Sequence, residues 1–136
     1  MVTAGCGGGR LSHAAYVKKA DAVCSAYRTQ TPALLRPRSY DAIVRWGSKT
    51  LPLYAGALRK LDDLRPPPAD EQQVRTWLAA DRRVQQAVRD LVVAAQKRDF
   101  ASVSAAASRA QLAGSQSRAA AQLLGLQVCG TIATAR

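Results

Sequence analysis

The sequence predicts an all-α protein, an up-down-up-down four-helix bundle, and three observations predict it. Apolar residues recur at helical spacing in four successive segments, with no strand-like alternation and no internal repeat anywhere. Short joints rich in proline, serine or aspartate separate the segments. Alanine and leucine dominate while aromatics make up 5%, a composition that favours helix. Short connectors place consecutive helices antiparallel. At 136 residues the chain is one domain, long enough to bury about two-thirds of its unfolded surface. It divides into a flexible lead (1–11), a bundle (12–130) and a short tail (131–136).

The first helix is expected from about His13 to Thr31, with Ser12 as N-cap. Tyr16, Ala20, Val23, Cys24 and Tyr27 form its apolar face, and Lys18, Lys19, Asp21 and Arg28 point away. TPALLRPRS then breaks it with two prolines. The second helix runs from about Tyr40 to Leu64 behind Ser39. Its stripe is Ile43, Gly47, Thr50, Tyr54, Ala57, Leu58 and Leu61. Pro52 lies on the opposite side and is expected to kink or split the helix near Gly47. RPPP at 65–68 is a stiff extended joint.

The third helix spans about Glu71 to Lys97, with Asp70 and Gln73 spaced as a variant capping box. Val74, Leu78, Val84, Val88, Leu91, Val92 and Ala95 make the clearest stripe in the protein. The fourth runs from about Phe100 to Gln127 behind Asp99. Its stripe is Val103, Ala107, Ala110, Gly114, Ser117, Ala121, Leu124 and Val128. Small residues of this kind either let helices approach closely or leave room for an apolar guest beside Tyr27, Tyr54 and Trp77.

The net charge of +11 arises from 20 Lys+Arg against 9 Asp+Glu. Such a field attracts phospholipid head groups, wall polymers or nucleic acid. The arginines are spread along the chain without a cluster, which argues against a nucleic-acid reader. No apolar run reaches the roughly 20 residues needed to span a bilayer.

Three cysteines need an account. In an up-down-up-down bundle the first and fourth helices are neighbours, and both chain ends lie at one end. Cys24 and Cys129 are therefore either a disulfide, in an oxidising compartment, or two buried thiols acting as small hydrophobes. Cys6 lies in TAGCGGG, which resembles the end of a bacterial lipoprotein signal: small residues, a cysteine that takes the lipid, then a glycine tether. Thr3 stands where a larger aliphatic is commoner, and no basic or apolar leader precedes it. Export is expected if the reading frame extends upstream of Met1; otherwise the chain is cytosolic.

ADAVCSAY around Cys24, the LRPPP joint after KLDDL, WLAA and the closing LGLQVCG together resemble a group of small helical lipoproteins of actinobacteria. The resemblance spans nearly the whole chain, on short motifs. It implies export, a lipid on Cys6 and pairing of Cys24 with Cys129, and it implies no particular activity.

Candidate chemistry is sparse. His13 is the only histidine and stands at a helix start, so neither an imidazole metal site nor a Ser-His-Asp arrangement is expected. GCGGG lacks the strand and lysine of a phosphate loop. Asp62 and Asp63 are adjacent and face about 100° apart. Asp81 is the exception, because it falls mid-stripe between Leu78 and Val84/Val88. An ionised carboxylate there must be paired, hydrogen-bonded or protonated. It is read as a core ion pair with an arginine of another helix, an outward lean at the bundle edge, or a polar anchor in a ligand pocket.

No catalytic residue, metal or cofactor is assigned. The expected function is that of a lipid-anchored, disulfide-closed binding or scaffolding module at the cell envelope. Its partners are the membrane through the lipid, an anionic lipid or wall polymer, and a protein or apolar ligand. The alternative is a basic helical protein that holds nucleic acid or another polyanion through its arginines.

Overall fold

The computed structural model describes residues 9–31 and 39–131. They form a four-helix bundle: α1 (His13–Gln30), α2 (Tyr40–Asp62), α3 (Glu71–Gln96) and α4 (Phe100–Leu123). One-turn 3-10 segments lie at Pro68–Asp70 and Cys129–Thr131. Cys6 and the tail beyond Thr131 lie outside the described residues.

Cross-helix pairs establish the direction of each helix. Tyr27 meets Tyr54 and Leu11 meets Arg65, so α1 and α2 run antiparallel. Asp41 pairs with Arg98 and Asp62 with Arg82, which reverses α3 against α2. Arg83 bonds Gln116 and Asp90 bonds Arg109, which reverses α4 against α3. The order is up-down-up-down.

Local chemistry sets most helix ends. Ser12, Ser39 and Asp99 accept the amides of Ala15, Ala42 and Ser102 at 3.1–3.2 Å, satisfying donors the helix leaves free. The Ser102 hydroxyl and amide hold the Asp99 carboxyl below its ordinary range. The expected capping box at Asp70 does not form. Its backbone continues the 3-10 turn in the helical region, so its carboxylate makes no cap bond and binds His13 instead.

α2 runs unbroken through Pro52, so of the kink or split expected there the split does not occur. Pro52 removes one hydrogen bond, but both it and Ser48, whose carbonyl loses that donor, lie on the exposed side. Water can complete that carbonyl.

α4 ends at Leu123, four residues earlier than the stripe suggested. Gly125 takes φ +80°, the Leu126 amide bonds Ala121 at 3.0 Å, and the Gly125 amide bonds Gln122 at 3.0 Å. These two bonds define a Schellman turn. α3 closes the same way, with Arg98 (φ 54°) where glycine is usual. Arg10 and Leu11, expected in a flexible lead, are docked: Arg10 pairs with Glu71 at 2.6 Å and the Leu11 amide bonds Arg65 at 2.8 Å.

The larger core gathers Tyr16, Ala20 and Cys24 of α1 with Leu58 and Leu61 of α2, Val74, Trp77 and Leu78 of α3, and Leu124, Leu126 and Cys129. A second cluster of Ile43, Leu91, Ala95 and Ala106 fills the far end between α2, α3 and α4. α1 packs on α2 and on the Cys129–Thr131 turn, and it meets the C-terminal end of α4 through the shared core cluster, which also includes Ala121. α3 is central and buries a wider arc than its stripe, including Trp77, Ala80, Gln85, Ala87 and Ala94.

α2 and α3 approach closely at Gly47, where an added Cβ would stand 2.1 Å from Val92 Cγ2. A helical valine is held near one rotamer and cannot swing aside. Gly47→Ala should cost about 1–2 kcal/mol in urea denaturation, overpacking exceeding alanine's gain in helix propensity. Val92→Ala in the same chain should recover part of that loss. At Gly56 an added Cβ would meet only the flexible Arg59 side chain, at an ordinary contact distance of 3.8 Å, so Gly56→Ala should stabilise by up to about 1 kcal/mol.

Candidate functional site

Asp81 lies where its position on the helical wheel indicates, turned into the bundle and partly buried. Ser117 of α4 donates its hydroxyl to Asp81 Oδ1 at 2.5 Å. The Tyr54 hydroxyl of α2 reaches the same oxygen at 3.2 Å and the Asp81 carbonyl at 3.1 Å. Tyr27 of α1 rests on Tyr54, ring centroids 5.4 Å apart and tilted 60°. One carboxylate thus links α2, α3 and α4, and α1 is applied through an aromatic contact.

Hydroxyls hold Asp81, not the arginine of another helix. Its neighbour Arg82 is bound to Asp62. Burial pushes the Asp81 carboxyl up to about 6, against the pull of Ser117 and Tyr54. Burial also raises the Tyr54 hydroxyl well above its ordinary value. A carboxyl displaced this far is a feature of active sites. Here Ser117 is 4% exposed, so the Ser117–Asp81 bond lies between the helices with Asp81 itself partly buried. The arrangement joins helices.

An open cleft of about 160 Å³ lies between α1 and α2, lined among others by Tyr27, Pro52, Leu53, Gly56, Ala57 and Lys60. Asp81 does not line it, and Tyr27 is the shared wall. The room for a guest expected beside the small residues of α4 is taken up by packing, since Ala106, Ala113, Ser117 and Ala121 are buried and α3 closes on α4 more extensively than any other helix pair.

Cys24 and Cys129 form a disulfide, with Cα atoms 5.2 Å apart. It joins α1 to the turn beyond α4 and closes a loop of 105 residues. Asp21, expected to point away, is central to the same corner. Its Oδ2 accepts the Gln127 amide at 2.9 Å, and its Oδ1 accepts the amides of Val128 at 2.9 Å and Cys129 at 3.1 Å. One carboxylate therefore caps the segment that presents Cys129. The signal available in the sequence was spacing: Asp21 and Cys24 stand at i and i+3, one above the other on α1.

His13 Nδ1 lies 2.6 Å from Asp70 Oδ2, tying the start of α1 to the start of α3 on the surface. Among the described residues no group of three His, Cys, Asp or Glu side chains is placed to hold a metal. No described helix is long and apolar enough to cross a membrane. A scan against protein-family models, a search of curated proteins and a search of solved structures found no match to this chain.

Proposed function

We propose that this chain is a lipid-tethered helical binding or scaffolding module that works outside the cytosol, against the outer face of the cell membrane. The observation that carries the reading is the Cys24–Cys129 disulfide, a bond that persists in oxidising compartments and is rare in the cytosol. TAGCGGG supplies a cysteine suited to acylation, and two acyl chains suffice for stable anchoring.

Two features support membrane apposition. Arg10 is docked on Glu71, so a lipid on Cys6, four residues earlier, holds the bundle within about 14 Å of the head groups. The antiparallel order brings Arg59, Lys60, Arg65 and Arg75 to that same end of the bundle. α1 and α2 together carry seven lysines and arginines against three aspartates. Anionic head groups or wall polymers are the partners such a surface attracts. That basic surface equally favours the second reading, attachment to a polyanion through arginine without a lipid.

Mass spectrometry of the protein purified from the cells that make it tests the first reading. The expected result is a diacylglyceryl adduct on Cys6, lost in Cys6→Ser, with Cys24 and Cys129 oxidised. An unmodified Cys6 thiol beside a reduced Cys24 would sink it. Retention on heparin at about 0.2 M salt by such an unacylated protein would favour the polyanion instead.

A further inference from the structure

We propose that the cleft between α1 and α2 binds a fatty acid, its chain lying along the cleft and its carboxylate on Lys60. The site stands on the bundle alone and does not depend on a lipid at Cys6.

Shape sets the first half of the ligand. The lining residues run from Val23 to Gln30 on α1 and from Pro52 to Lys60 on α2, roughly 10 and 12 Å of helix axis. A compact cavity of about 150 Å³ holds a benzene ring. Here about 160 Å³ is drawn out along two turns of helix, which suits a single file of carbons. Its walls are largely apolar, with Val23, Ala26 and Tyr27 from α1 and Leu53 and Ala57 from α2.

α2 carries two glycines and one proline. Gly47 is required by the close approach of Val92. Pro52 and Gly56, one turn apart, answer to no such contact: Pro52 is exposed, and a Cβ at Gly56 would meet only Arg59. Both line the cleft. Residues that break a local rule without a return in stability gather at functional sites. At Gly56 the return is space, because the missing side chain leaves the α2 wall open. Neither residue signals a cleft in the sequence, since only the packing of α1 places Tyr27 and Val23 across from them.

Charge sets the other half. α1 and α2 carry seven lysines and arginines against three aspartates. All three aspartates are committed: Asp21 to the amides of residues 127–129, Asp41 to Arg98 and Asp62 to Arg82. Among the described residues none of the seven cations forms an ion pair. Lys60 lines the cleft, and no carboxylate does. Arg59 Nη2 lies 3.8 Å from where a Gly56 Cβ would stand. Lys19 precedes Val23 by one turn and Lys49 precedes Leu53 by one turn, so both flank the same side of their helices. An apolar slot rimmed by uncommitted cations fits an amphiphile with an anionic head. The Lys60 stem covers the chain while its ammonium meets the carboxylate.

Isothermal titration calorimetry of the full chain with decanoate, at about pH 7.5 and about 0.1 M salt, tests this. The expected result is one saturable site with Kd of roughly 10–100 μM, and binding of uncharged decanol at least about tenfold weaker. Lys60→Glu should weaken decanoate at least about tenfold and leave decanol as in the parent. Lys18→Glu, on the other side of α1, should leave decanoate within about twofold. Gly56→Leu puts a good helix former into the slot. It should abolish binding of both ligands while Tm stays at or above that of the parent, so the loss is not one of folding. A parent without saturable binding would overturn the proposal. So would a Gly56→Leu protein that binds as the parent does, or equal weakening by Lys18→Glu and Lys60→Glu, the mark of diffuse attraction to a basic surface.

Discussion

Cys24→Ser is expected to lower the Tm of the purified protein by roughly 10–20 °C, the largest effect of any single change considered. The disulfide closes a loop of 105 residues. Without it the unfolded chain regains conformational freedom worth about 4–5 kcal/mol in the chain-entropy model. Both cysteines are 6% exposed, so a thiol reductant reaches the bond slowly in the native state. It acts fully only once the protein opens during heating. A thermal scan with reductant should therefore bring the parent down to the midpoint of Cys24→Ser and leave Cys24→Ser where it was. Asp21 still holds the amides of residues 127–129 in that variant, so the corner should remain docked at low temperature. Removing Asp21 as well should lower the midpoint further. A parent midpoint unmoved by reductant and by Cys24→Ser would show that the bond contributes nothing.

The second large effect concerns Asp81. Its carboxyl is displaced upward, mainly by burial, from 3.8 in the unfolded chain to about 6 in the fold. Between those values the native state binds a proton that the unfolded state has released, so stability falls as pH rises through the window. Below about pH 4 both states are protonated and the contribution is complete; above about pH 6 it is gone. The difference is about 2–3 kcal/mol. Asp81→Asn keeps an oxygen for Ser117 and Tyr54 but never ionises. At pH 7 it should be about 1–2 kcal/mol more stable than the parent, after allowing for weaker bonds to a neutral acceptor. At pH 4 that advantage should vanish. Urea midpoints at constant m-value across pH 4–8 measure both. A variant less stable than the parent at pH 7 would mean that the hydroxyl bonds outweigh the burial of charge.

That carboxylate also illustrates how far the chain can be read unaided. Its place in the stripe of α3 announces a buried acid, because 3.6-residue periodicity is a property of the sequence. Its partners are not local. Tyr54 lies 27 residues away and Ser117 lies 36, and only the packing of three helices brings their hydroxyls to one oxygen. An arginine partner was equally consistent with the composition.

The cleft between α1 and α2 gave no local sign at all. It depends on how two rods diverge, which no stripe encodes. α4 was the least legible element. Alanine on every side leaves little contrast between faces, so the stripe selected the buried Gly114, Ser117 and Ala121 but missed Ala106 and Ala113, each one place from a position it chose.

Four helices, their caps at Ser12, Ser39 and Asp99, and the inward side of α1, α2 and α3 follow from the chain itself. Periodicity and capping are short-range, involving residues no more than about four apart. Tertiary structure decided the rest: the early end of α4, the docking of Arg10 and Leu11, and the corner where Asp21 holds the segment that delivers Cys129. Each joins residues far apart in sequence, whose meeting is set by how whole helices pack and by where backbone amides left without helical partners find an acceptor.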